Sequence, residues 1–382
     1  MSRGTIIHID SDQEILKRSK ELFIQIISDI DYITIDTQAA FKSEVEKAIN
    51  SGKLKAVIFD LVGKTAGAKE LVDGDAEFLK EIENTFESYN IPIFIYSASI
   101  HLIEDKFNNS GTIYKIDKGE DFKEKVIDSF EMLLNSGFID VFCPKGILET
   151  ELHKDLNLAF TKQFFTSEQI KQLISVINST GTNTDRVQKV FKRIAVRSLL
   201  STLLEPETDE NGRIKPEYLN PIEHYIQRIN AFEFWTGDIF KKKDNLELLL
   251  ILTPRCNVAS KSIEELLVCK ILPDEFPKAI SSSKEKDRIG YALTDKPETA
   301  GYDRYLPPSA LFGGGKVILS AYKMISKTSL AADYNRVISL SDELTNEILG
   351  KFGSYFFRTG INPWSKEETI EHIRIQGENG EK

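Results

Sequence analysis

Cysteine is scarce. The 382 residues hold three, Cys143, Cys256 and Cys269, too far apart for a CxxC pair. That excludes a disulfide scaffold and a zinc ribbon, and fits a reducing compartment. Long hydrophobic runs are missing as well. The longest, such as Leu248 to Leu252, stops far short of the roughly 18 apolar residues of a membrane-spanning helix. Met1 to Thr5 leads straight into a strand pattern with no apolar signal-peptide stretch. A cytoplasmic protein with no membrane partner is therefore expected. There is no basic surplus: 49 Lys and Arg stand against 59 Asp and Glu, a formal net charge of −10. Proteins built to hold nucleic acid carry a basic surplus or patch, so nucleic acid is disfavoured as a partner. The dense cluster Lys241-Lys242-Lys243 is short and reads as a solvated turn between strands.

What is present is ordinary globular material, 41% hydrophobic and 28% charged. The length suggests two or three domains. In the first third, apolar runs alternate with amphipathic stretches. Strands are expected at Thr5–Ile9, Tyr32–Ile35, Ala56–Phe59, Ile91–Tyr96 and Thr112–Ile116. Helices are expected at Ile15–Ile27, Ala39–Ile49, Ala76–Tyr89 and Phe122–Leu134. Apolar strands alternating with amphipathic helices mean a parallel sheet covered on both faces. The length fits a doubly wound, flavodoxin-like α/β fold.

In such a sheet the ligand site lies outside the carboxyl ends of the strands. The first strand ends in Asp10, with Asp12 two residues on; the third ends in Asp60 and the fourth in Ser97, and Lys118 follows the fifth. Clustered carboxylates repel unless a cation joins them, and an oxygen-only set suits Mg²⁺. A hydroxyl and an ammonium alongside suit the oxygens of a phosphoryl group.

These pieces, Ile-His-Ile-Asp10-Ser-Asp12, Val-Ile-Phe-Asp60-Leu, Ile-Tyr-Ser97-Ala98 and Lys118 before the last helix, resemble the receiver domain of two-component response regulators over about residues 4–135. The resemblance implies that Asp60 accepts a phosphoryl group from a sensor histidine kinase or phosphotransfer protein. It also implies that Asp10, Asp12 and Asp60 hold Mg²⁺, and that Ser97 and Lys118 sense the phosphoryl group and shift the face near Tyr114. The family usually has two adjacent acids after the first strand, where this chain has Ser11; its lysine is usually followed by proline, where this chain has Gly119. The segment Gly63–Asp75 is long for the loop after the phosphoacceptor. A pseudo-receiver that keeps the fold and binds a protein partner without phosphorylation is the competing reading.

Beyond residue 136, three helices are expected: Ile147–Phe160, Ser167–Ile177 behind a capping box at Thr166 and Gln169, and Thr184–Leu204 with an apolar stripe from Val187 to Leu199. His153 reads as a surface histidine, and Arg193 and Arg197 as a solvated face. Glu205–Pro221 reads as a loop or linker. Strands are then expected at Phe232–Phe240, Leu246–Leu252, Leu266–Leu272 and Lys316–Ser320, with a loop-rich insertion at Gly290–Tyr305. A last helix is expected from Asp342 to Phe357, capped by Ser341 and ended by Gly360, before a polar tail from Glu378. Gly313-Gly314-Gly315-Lys316 lacks the hydroxyl residue and following helix of a phosphate loop and reads as a glycine turn. The Trp235-Thr236-Gly237-Asp238-Ile239-Phe240 segment and Leu252-Thr253-Pro254-Arg255-Cys256-Asn257 weakly resemble SH3-like barrels of the PemK/MazF type. Arg255 and Cys256 are the best polar candidates there, with Cys256 expected to be buried and Asp238 expected to be a turn acid.

The expected organisation is a receiver at 1–136, a helical connector at 137–204 and an α+β effector with a small barrel or sheet at 205–382. The expected function is response-regulator-like signalling. A divergent receiver joined to an unfamiliar effector resembles proteins of bacterial stress or anti-phage defence. A receiver-regulated nuclease, a protein-binding adaptor, and DNA binding by the 184–204 helix are the alternatives.

Overall fold

The computed structural model describes residues 2–61, 89–103, 111–163, 166–179, 184–215, 218–228, 232–259, 263–273, 303–357 and 365–380, with residues 80, 283, 284, 286 and 290 standing singly between them. Most of the expected helix Ala76–Tyr89, the loop Gly63–Asp75, most of the insertion Gly290–Tyr305 and the expected helix end at Gly360 lie outside the described residues. The chain divides into two compact units, Met1–Glu207 and Thr208–Lys382.

In the first unit the apolar runs form five strands: β1 Gly4–Ile9, β2 Ile30–Ile35, β3 Leu54–Phe59, β4 Ile93–Tyr96 and β5 Ile113–Ile116. They pair in parallel in the order β2-β1-β3-β4-β5. This is the flavodoxin-like order. Both faces of the central strands are covered: all six residues of β1 and of β3 are buried. The crossover helices α1 (Gln13–Ile26) and α2 (Gln38–Ser51) turn Leu16, Phe23, Phe41 and Val45 into this core. After β5 a π turn at Lys123–Ile127 leads into α3 (Asp128–Asn135), where a single α-helix was expected. Phe130 of α3 meets Phe23 of α1 at 5.8 Å. A short helix α4 (Phe138–Phe142) then precedes α5 (Ile147–Gln163), α6 (Ser167–Ser179) and α7 (Thr184–Leu203). The capping box forms: Thr166 N–H donates to Gln169 Oε1 at 3.1 Å, and Gln169 N–H to Thr166 Oγ1 at 3.3 Å.

The second unit is built on seven strands: β6 Tyr225–Ile226, β7 Asp238–Lys242, β8 Leu248–Ile251, β9 Glu265–Leu272, β10 Asp303–Leu306, β11 Gly315–Ser326 and β12 Tyr334–Leu340. Their order is β10-β11-β9-β8-β7-β12-β6, with antiparallel ladders throughout. Alternation splits the apolar residues between two faces. Ile239, Leu250, Cys269, Ile271, Val317 and Ile338 pack with Leu344 and Ile348 of α10 (Asp342–Phe356). Phe240, Leu249, Ile251, Leu266 and Val268 pack with Leu330 of α9 (Lys327–Asp333) on the other. Helices α8 (Arg255–Ala259) and α11 (Lys366–Gly380) complete the unit. Ser341 caps α10 as expected, accepting from Leu344 N–H at 3.3 Å.

Several strand expectations need correction. Phe232–Phe240 is a strand only from Asp238, because Gly237 at φ +90° turns the chain before it. Lys241 and Lys242 end β7 rather than forming a turn. Strand β12 was not expected; a bulge breaks its alternation between Arg336 and Ile338.

Candidate functional site

The two inner strands set the first pair of acids. Asp10 N–H donates to Ile35 O and Asp60 N–H to Ile9 O, both at 3.1 Å, so the two residues leave the sheet side by side. Asp10 is fully buried. Lys118 follows β5, two strands from Asp60, and its long side chain spans the gap. Its Nζ lies 2.7 Å from Asp10 Oδ2 and 2.8 Å from Asp60 Oδ2. One ammonium therefore serves two carboxylates, which offsets part of the repulsion between them. Burial pushes the Asp10 carboxyl above its ordinary range, and the Lys118 hydrogen bond only partly opposes this. Burial also works against the Lys118 charge, but its hydrogen bonds to Asp10 and Asp60 outweigh that and push its value up.

Asp12 is placed differently. It is exposed, and its Oδ1 caps α1 by accepting from Glu14 N–H at 2.9 Å and Ile15 N–H at 3.2 Å. Its own N–H donates to Asp10 Oδ1 at 2.8 Å, so it orients Asp10 through the backbone. Ser97 is buried at the end of β4, with Oγ accepting from Ser99 N–H at 3.2 Å. The structure thus joins Asp10, Asp60 and Lys118, sets Ser97 on the strand next to Asp60, and turns Asp12 to the helix. Among the described residues no group of three His, Cys, Asp or Glu side chains gathers as a metal site. Asp60 Oδ1 is nonetheless buried with no hydrogen-bond partner among them. An orphaned carboxylate oxygen beside a second carboxylate fits a hard cation such as Mg²⁺, with Asp10 and Asp60 as its protein donors.

One neighbouring pair is not legible from motif spacing. His8, fully buried on β1, shares a 2.9 Å hydrogen bond between Nδ1 and the Tyr32 hydroxyl. Burial, and then the Lys118 charge, push the His8 imidazole down to about 3, so the ring is neutral. The only signal in the sequence is a histidine inside an apolar strand. A cavity of about 660 Å³ opens beside Lys118, lined by Ile15, Arg18 and Leu22 of α1 and by Tyr96 and Phe122.

Of the other residues singled out, His153, Arg193 and Arg197 are exposed on their helices. Cys256 is exposed, against the expected burial, because it lies in the short helix α8 that follows the strand end. Asp238 is fully buried where a turn acid was expected. Gly314 (φ +81°) stands just before β11, which Gly315 opens, and Lys316 in that strand pairs with Asp303 at 2.6 Å.

No protein-family model matches this chain, and no curated protein matches it. Among solved structures it is similar to a response regulator receiver domain protein from Clostridium thermocellum, with 15% identity, 36% of this chain and 98% of that one covered, and a TM-score of 0.27. It is also similar to the RcsB response regulator of Salmonella typhimurium, described for its conformational dynamism for DNA interaction. There the identity is 16%, 51% of this chain and 99% of that one are covered, and the TM-score is 0.27.

Proposed function

We propose that the first unit is a receiver whose phosphoryl acceptor is Asp60, and that it controls an output carried by the second unit. The carrying observation is the Lys118 ammonium shared by Asp10 and Asp60 at the carboxyl edge of a 2-1-3-4-5 parallel sheet, beside a buried oxygen of Asp60 that has no hydrogen-bond partner among the described residues. The donor is a phosphohistidine on a sensor kinase or phosphotransfer protein. A carboxylate oxygen of Asp60 attacks phosphorus, the P–N bond breaks, and the imidazole leaves with its electron pair and takes up a proton. Lys118 stays within reach of the transferred oxygens, and the Ser97 hydroxyl turns from the Ser99 amide to donate to one of them. Asp10 and Asp60 hold Mg²⁺, which when bound neutralises charge on the phosphoryl oxygens. Asp12 is left out of that set and keeps α1 capped.

The test is calorimetric titration of beryllofluoride with Mg²⁺, a mimic of an aspartyl phosphate. Wild type is expected to bind in a Mg²⁺-dependent way and Asp60→Asn is expected not to. A folded wild-type protein that binds nothing would retire the phosphorelay. The pseudo-receiver adaptor would then stand, with Lys118 a permanent internal counter-ion and a protein partner sought on the receiver face.

A further inference from the structure

We propose that Arg228, Trp235, Arg255 and Arg336 of the second unit form a binding site for a phosphate-bearing anion. The site is separate from the receiver chemistry and does not rest on it.

Its geometry starts at the bulge in β12. Ser339 stands opposite Asp238 and Arg336 opposite Phe240, although Asp238 and Phe240 are two residues apart and Arg336 and Ser339 are three apart. The extra residue, Val337, therefore brings Arg336 and Ser339 to one face of the sheet; bulges re-aim side chains in this way. Gly237 adds the second constraint. Its φ is +90°, and a Cβ there would meet Thr345 Oγ1 at 2.4 Å, so only glycine lets the chain turn Trp235 and Asp238 into the same place.

The hydrogen bonds within the cluster leave donors over. The two Asp238 oxygens accept from neutral groups, Ser339 Oγ at 2.6 Å and Trp235 N–H at 2.8 Å. The guanidiniums flank this carboxylate beyond hydrogen-bond reach, Arg228 Nε at 3.8 Å and Arg336 Nη1 at 3.6 Å. Arg228 Nη1 and Trp235 Nε1 are buried with no acceptor among the described residues. Arg228 lies 4.9 Å and Arg255 5.8 Å from the Trp235 ring centroid, so two cations crowd one aromatic. Arg255 forks onto Asp342 in the first turn of α10. Three arginines thus face two aspartates.

Unpaired buried donors and gathered like charges are both costly, and one ligand relieves both. It must be an anion with several acceptor oxygens. A carboxylate is satisfied by one guanidinium fork, whereas a tetrahedral phosphate accepts from several, so the convergence favours phosphate.

The test is calorimetry on the full chain at fixed ionic strength, with inorganic phosphate, AMP and adenosine as probes. Phosphate or AMP is expected to bind saturably in the millimolar range or tighter. Arg228→Gln and Arg336→Gln are expected to weaken it at least about tenfold, while Lys316→Gln, an equal loss of charge elsewhere in the unit, leaves it unchanged. Melting curves check that the variants fold, and Arg255→Gln, at a half-exposed position, gives the same readout should either not. Equal binding of phosphate and AMP assigns a free oxyanion; AMP at least about tenfold tighter assigns a phosphate ester. The proposal is overturned by no saturable binding of either anion, by unchanged binding in the arginine variants, or by adenosine binding as well as AMP.

Discussion

Asp10 is a buried acid whose charge costs stability despite Lys118. Its folded value lies above the ordinary 3.8, so the stability tied to its proton is complete below that value and is lost as pH rises through the raised one. Asp10→Asn removes that loss. In metal-free buffer the variant, whose Lys118 keeps Asp60 as a partner, is expected to gain stability relative to wild type as pH rises from 4 to 7. Urea melts at the two pH values check it, and a relative loss over that range would mean that Lys118 more than offsets the burial. Asp12 gives the complementary result. Asp12→Ala is expected to cost about 1 kcal/mol by uncapping α1, and Asp12→Ser almost nothing, with Mg²⁺ affinity equal in both. A serine variant that keeps its stability and loses Mg²⁺ binding would return Asp12 to the metal set. Asp10, Asp60, Ser97 and Lys118 were legible because each stands just past an apolar run, where the fold puts chemistry. The use of Asp12 was not, since one exposed carboxylate two residues past a strand can cap a helix or coordinate a cation.

At the level of elements, every strand of the parallel sheet was readable, because burial on both faces leaves continuous apolar runs such as Leu54–Phe59. The antiparallel unit was read less well. The apolar look of Phe232 to Trp235 suggested strand, yet the backbone turns at Gly237. Tyr334–Leu340 escaped because its alternation is interrupted within the ladder. Cys256 was misplaced because α8 begins immediately after Pro254. The Gly237 turn yields a direct test. Gly237→Ala meets both an unfavourable φ and the Thr345 hydroxyl, so it is expected to destabilise the protein by about 2–4 kcal/mol. Thr345→Ala in the same chain is expected to recover only the steric part. Thermal melts of the two single variants and the double variant decide it, and a harmless Gly237→Ala would discard the close approach.

At the scale of the whole molecule, the two units have separate cores, one drawn from Ile6 to Cys143 and the others from Tyr225 to Ile348. The chain between them is exposed at 205–208 and 210–215, with a small turn held by Asp209 Oδ1, which accepts from Asn211 N–H and Arg213 N–H at 2.8 Å each. Brief trypsin treatment is therefore expected to cut first at Arg213 or Lys215 and leave two persistent fragments, read by mass spectrometry. Early cuts within the parallel sheet would contradict this division. The single extra residue at Val337 also bears on how the gene can change. It reverses odd and even along β12, so residues before and after it obey opposite parities. Losing or gaining one codon there would send Arg336 to the far side of the sheet while leaving every other amino acid unchanged. In diverging copies of this gene, the anion site is thus expected to disappear by such a frame-preserving indel as readily as by mutation of an arginine.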